Sequence, residues 1–166
     1  MKKTRKIAVF GLLIALALVF SYIESRLPIF FAVPGMKLGL TNIVVLFSLY
    51  LMGAGAALTI NFIRIIMMFL LFGNMMGLIY SLAGGLLSTL VMICLRRVGK
   101  FKIVTVSIMG GITHNIGQII VAMVLLQTTY IAWYLVVLWF SGIISGAVIG
   151  VIGMMLYKRL GTFLLP

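Results

Sequence analysis

Six apolar runs, each closed by a short cluster of glycine, polar or basic residues, set the pattern of this chain. They cover residues 7–22, 38–52, 56–72, 75–95, 103–127 and 131–157. A bilayer-spanning helix takes about 20 residues, and runs of this length are helical rather than barrel-like. The pattern predicts six transmembrane helices in a single domain covering residues 1–166, with an external loop at 23–37. The second run is short for a full crossing.

The interruptions carry turn chemistry: Gly53-Ala54-Gly55, Gly73-Asn74 and Thr128-Thr129-Tyr130. Tyr130, Trp133 and Tyr134 open the sixth run as an interfacial aromatic belt. Gly11 and Ala15 share one face of the first helix. Gly142, Gly146 and Gly150 repeat every four residues in the sixth, where small side chains let helices approach closely. Packing within the chain is the expected use of this second stripe, and a partner interface is the alternative.

Composition agrees with the pattern. Of 166 residues, 64% are hydrophobic and 8% charged, which no water-soluble globule tolerates. The net charge of +12 does not point to nucleic acid, because the basic residues form no face or stripe in polar surroundings. They cap the apolar runs. Lys2, Lys3, Arg5, Lys6, Arg96, Arg97, Lys100, Lys102, Lys158 and Arg159 make up ten of the 13 and fall on one side of a six-helix topology. The positive-inside rule makes that side, and both termini, cytoplasmic, and the same residues favour anionic membrane lipid. Lys2–Lys6 and Ala15-Leu16-Ala17 resemble a signal peptide with its cleavage site, but five further runs make a retained first helix the expectation. Cys94 is alone and is expected to be a packing residue.

Three basic residues remain: Arg26, Lys37 and Arg64. Arg26 and Lys37 belong to the external loop, together with Glu24, the only acid of the chain. Pro28, Pro34 and Gly35 give that loop fixed angles beside a hinge, so it is expected to act as a mobile lid that Phe30 and Phe31 seal against water. Arg64 lies near mid-depth of the third helix, where an arginine costs about 2.5–3.5 kcal/mol and faces a partner or an aqueous cavity. An ion pair of Glu24 with Arg64 or Arg26 is one outcome, and it does not exclude a ligand. Asn61, Arg64 and Met68 share a face by their spacing. On the fifth helix, His114, Gly117 and Gln118 share another, with Asn115 beside them, at a similar depth. Such groups are either interhelical glue or the lining of a cavity; their variety, and the Gly110-Gly111 pair beside them, favour the cavity.

Enzymatic chemistry finds no support. One His, one Glu and one Cys on separate segments do not make a metal shell, and no paired carboxylates, aspartate-rich magnesium motif, phosphate loop or nucleophile elbow occurs. No cofactor is expected.

Several motifs match a known family: Glu24-Ser25-x-x-Pro28, the run Pro34-Gly35-Met36-Lys37-Leu38-Gly39-Leu40-Thr41-Asn42, Ser107-x-x-Gly110-Gly111, and His114-Asn115-x-Gly117-Gln118. On these residues the chain resembles the Gx transporter family, also labelled heptaprenyl diphosphate synthase component I. In layout it is similar to the S components of energy-coupling factor (ECF) transporters. The resemblance spans about residues 7–157. It implies an all-α, six-helix S-component bundle in a prokaryotic plasma membrane. An outward pocket would be capped by the loop after helix 1, and a small-residue face of helix 1, here Gly11 and Ala15, would contact a transmembrane coupling subunit that works with ATPase subunits. The second label implies an accessory membrane subunit of a polyprenyl diphosphate synthase. A purely structural membrane scaffold is a third option.

The expected ligand is a small anionic or amphiphilic molecule. Ten residues assigned to topology leave Arg26, Lys37 and Arg64 against Glu24 alone, an excess of two positive charges that a carboxylate or phosphate would offset. His114, Asn115, Gln118, Asn61 and Asn42 are the neutral polar candidates, and Trp139 and Met68 are expected to meet its apolar part.

Overall fold

The computed structural model describes residues 3–26 and 39–164 and is helical throughout, apart from short turns. In chain order the helices are α1 Lys3–Arg26, α2 Asn42–Met52, α3 Ala54–Phe72, α4 Met75–Val98, α5 Ile103–Leu126 and α6 Tyr134–Leu164, with a 3₁₀ turn Tyr130–Trp133 before α6. All but α2 are long and apolar enough to cross a bilayer. Gly73, left-handed at φ 61°, ends α3, and the Asn74 side chain accepts the Gly77 N–H at 2.8 Å to start α4. The expected Gly73-Asn74 turn is therefore a C-cap followed directly by an N-cap.

Both ends of the chain lie at one end of the bundle. Arg5 donates to the Phe163 carbonyl and sits over its ring at 5.4 Å. Tyr157 meets Tyr50 edge to face at 5.9 Å, and Arg96 lies over Tyr50 at 5.0 Å. The start of α1, the end of α6 and the α4–α5 turn thus share the basic end, which the positive-inside rule makes cytoplasmic.

The central element is the shortest. α2 has 11 residues, about 16 Å at 1.5 Å per residue, or half the thickness of a bilayer core. It packs against all five other helices, and Val45, Leu46 and Leu49 have no exposed surface. On its flanks it meets Met92 of α4, Val106 of α5, Ile149 of α6 and Ala57 of α3, and on the other side Leu13 and Ala17 of α1. The apolar core around α2 therefore fills the basic half, a further apolar cluster of Tyr80, Ile119, Ala122 and Leu138 joins α4, α5 and α6 toward the other end, and polar side chains lie above the N-terminus of α2.

Charges brace α2 at both ends. Glu24 accepts from the Gly39 and Leu40 N–H groups just before α2 begins, and Arg96 donates to the Leu49 and Tyr50 carbonyls near its end. An anion at the N-terminus and a cation at the C-terminus both complement the helix dipole. Arg96→Met is expected to cost about 1.5–3 kcal/mol, the usual value for losing a charged donor to buried acceptors. Unfolding in mixed micelles measures it, and an unchanged midpoint would show that α2 holds its place without the brace.

Two expectations are corrected here. α1 runs to Arg26 rather than ending at Tyr22, because Val9, Leu13, Ala17, Ser21 and Glu24 continue one buried face at helical spacing. Glu24 and Arg26 are therefore helical residues and not loop residues. Cys94 is exposed on α4 instead of packed.

Candidate binding site

Above the N-terminus of α2, four helices contribute buried polar groups. α3 supplies Arg64, 3% exposed, whose Nε donates to Asn61 Oδ1 at 3.0 Å and whose Nη1 donates to Ser21 Oγ on α1 at 3.3 Å. Asn61 is anchored in turn, since its Nδ2 donates to the Gly85 carbonyl at 2.9 Å and to Thr89 Oγ1 at 2.8 Å on α4. Asn61 thus points its carbonyl at the guanidinium and holds it. A side chain at Gly85 would begin 3.2 Å from Arg64 Nη2, so glycine makes the room for Arg64 beside α4.

α1 brings the counter-charge. Glu24, 3% exposed, lies near enough to Arg64 for their opposite charges to interact, and its Oε1 accepts from the backbone of Gly39 and Leu40. Ser21, one turn earlier, shares a hydrogen bond of 2.9 Å with Thr41 Oγ1. Gly39 adopts φ +80°, the left-handed region open to glycine, and a side chain there would begin 2.9 Å from Asn42 Nδ2 and 3.5 Å from His114 Cδ2. The turn before α2 is thereby pressed against both residues.

α5 supplies the far wall and divides into two faces. Its Gly110, His114, Gly117 and Gln118 face α4: a side chain at Gly84 would meet Gln118 Cγ at 3.0 Å and His114 Cε1 at 3.2 Å. Gln118 is fully buried, and neither amide atom has a hydrogen-bond partner; the same holds for Asn42 Oδ1 and Ser88 Oγ. The other face turns to α6, where Asn115 Nδ2 donates to the Leu138 carbonyl at 2.7 Å.

Of the residues anticipated from the sequence, Glu24, Asn42, Asn61, Arg64, His114 and Gln118 come together. Asn115 does not: its amide ties α5 to α6. Arg26 lies outside the cluster, exposed at the outer end of α1 and over the Tyr22 ring at 5.2 Å. Trp139 is corrected: it is 55% exposed and faces away from the bundle. Gly142, Gly146 and Gly150 turn one stripe of α6 onto α5, and Leu138 lies at its outer end; Trp139, the next residue, is rotated about 100° away. Lys37 and the expected lid residues Pro28, Phe30, Phe31, Pro34 and Gly35 lie outside the described residues.

Ser21, Thr41 and Thr89 were missed. Ser21 was readable, since it lies three residues before Glu24 on the same face. Thr41 and Thr89 had no such signal. Among the described residues no group of three His, Cys, Asp or Glu side chains comes together to hold a metal.

The class follows from these features: a multi-pass membrane protein with six helices, a half-length central helix and a buried polar site in the outer half. A solved structure of the S component of a bacterial ECF transporter has this fold, with a TM-score of 0.75 and 23% identity over 100% of both chains. The chain belongs to the heptaprenyl diphosphate synthase component I family, whose model matches residues 13–156. No curated protein matches it in sequence.

Proposed function

We propose that this chain is the non-enzymatic substrate-capture subunit of an ECF-type uptake transporter in the prokaryotic plasma membrane. The supporting observation is the join of an S-component fold over the whole chain with a buried polar site above α2 in which the Gln118 amide lacks partners. Transmembrane coupling and ATPase subunits would supply the energy, because the chain has no phosphate-binding loop. The ligand is a small amphiphilic molecule: Glu24 offsets Arg64 within the site, and Arg26 stands apart over Tyr22.

Gly11 and Ala15 are exposed on α1, and a side chain at Gly11 would meet nothing within 4 Å. Gly11→Phe and Ala15→Phe are therefore expected to leave the thermal midpoint unchanged and to abolish co-purification with the host's coupling subunit. Failure of the wild type to associate with any coupling module, or association of both variants at wild-type level, would overturn the proposal.

The family description supports a second reading, an accessory membrane subunit of a polyprenyl diphosphate synthase. With one acid in 166 residues the chain offers no carboxylate set for magnesium and diphosphate, so an accessory role is the most it could have there. Deletion separates the two. Loss of long-chain prenyl synthesis in membranes given all precursors favours the accessory role, whereas loss of uptake alone favours transport.

A further inference from the structure

We infer that the captured molecule is uncharged at its recognised end and presents a hydrogen-bond donor beside an acceptor, the edge of a lactam, an imide or a primary carboxamide. The inference rests on the capture-subunit proposal and identifies the class of ligand for that site.

Gln118 carries the argument. It has no exposed surface, and both its Oε1 and its Nε2 lack a partner. A buried amide left open at both atoms is costly in any protein, and more so at membrane depth, where water does not compensate it. Several polar groups beside the buried charges are engaged: Asn61 at both ends, Arg64 on Asn61 and Ser21, Ser21 on Thr41. The open atoms, those of Gln118 with Asn42 Oδ1 and Ser88 Oγ, lie on the α2, α4 and α5 side of the cluster. A primary amide offers one donor and one acceptor side by side, and its complement is a group with the same pair in reverse order. Asn42 Oδ1, also open, lies across His114 from Gln118 and would take a second donor from the same molecule.

Charge argues in the same direction. Glu24 and Arg64 offset each other within the cluster, so among the described residues neither charge is left over to pair with an ionised group brought against Gln118.

The test uses Gln118→Met, which keeps the length of the side chain and removes only atoms that bond to nothing. Detergent-solubilised wild type and variant are incubated with a small-molecule extract of host cells, washed, denatured and analysed by mass spectrometry. The variant is expected to melt at or above the wild-type temperature and to retain the wild-type compound about tenfold less or weaker still. Gln118→Leu serves as the second variant if Met fails to fold. The compound is expected to be uncharged at neutral pH at one end, with adjacent N–H and C=O groups.

A variant that melts well below the wild type would assign Gln118 a packing role and overturn the inference. So would equal retention by both proteins, a retained compound without such an edge, or no retained compound at all. Assembly with the coupling subunit, measured on the same preparations, separates the outcomes. Assembly without a compound of this class overturns the ligand chemistry alone, whereas a failure to assemble overturns the capture-subunit proposal itself.

Discussion

Glu24→Gln is expected to destabilise the protein by about 3–5 kcal/mol, and a second substitution, Arg64→Met, to restore most of that loss. Glutamine keeps an acceptor for the Gly39 and Leu40 N–H groups and removes only the charge. The Arg64 guanidinium is then left buried with the neutral partners Asn61 and Ser21, and an uncompensated buried charge carries a penalty of that size. Arg64→Met alone is expected to cost less than Glu24→Gln alone. The Glu24 carboxylate keeps two backbone donors and the positive end of α2, whereas the guanidinium has no comparable second source of compensation. A double-mutant cycle in mixed micelles reads the coupling directly. Additive single effects would mean that the two charges do not sense each other.

The same residues show what a sequence alone conveys about such a protein. The helices were legible because a bilayer demands continuous apolar length, and the gathering of the basic residues at one end was legible because topogenic charge is counted, not folded. Asn61, Arg64, His114 and Gln118 were legible because polar side chains at depth must be satisfied and their spacing puts them on shared faces. What escaped depends on rotation about each helix axis. Glu24 follows the first apolar run and reads as a loop residue although it continues the Val9–Leu13–Ala17–Ser21 face, and Trp139 reads as pocket lining although the glycine stripe that packs α6 on α5 turns it outward. Asn115 and Gln118 differ by three positions and look equivalent, yet one ties α5 to α6 and the other faces α4 with both amide atoms open. Thr41 and Thr89 matter only through partners on other helices, Ser21 and Asn61, and no local pattern reports that.

Gly146→Ala is expected to be among the most damaging single-methyl additions in the chain, and Gly146→Leu to yield no stable protein. A Cβ at Gly146 would begin 2.7 Å from Ile108 Cα and 2.8 Å from the Ser107 carbonyl oxygen, and one at Gly150 would begin 2.8 Å from Val104 Cα. These neighbours are backbone, so α5 must move as a unit; overpacking of this kind costs about 1–3 kcal/mol, with the upper end expected where no rotamer can yield. Gly153 supplies the internal comparison. A Cβ there would also begin at 2.8 Å, but from Leu46 Cδ2, the far end of a flexible side chain, so Gly153→Ala should be markedly milder. Gly11→Ala, with open space around it, should be neutral or slightly stabilising, since alanine is the better helix former. Unfolding midpoints of the three alanine variants check the order, and a Gly146→Ala protein as stable as Gly11→Ala would show that α5 and α6 do not meet backbone to backbone. The consequence reaches the site. α5 displaced from α6 is driven toward α4, where side chains at Gly84 and Gly117 would already collide with the backbone of the facing helix. His114 and Gln118 have no room to follow, so any Gly146→Ala protein that does fold should bind its ligand more weakly although the substitution lies on the far side of α5.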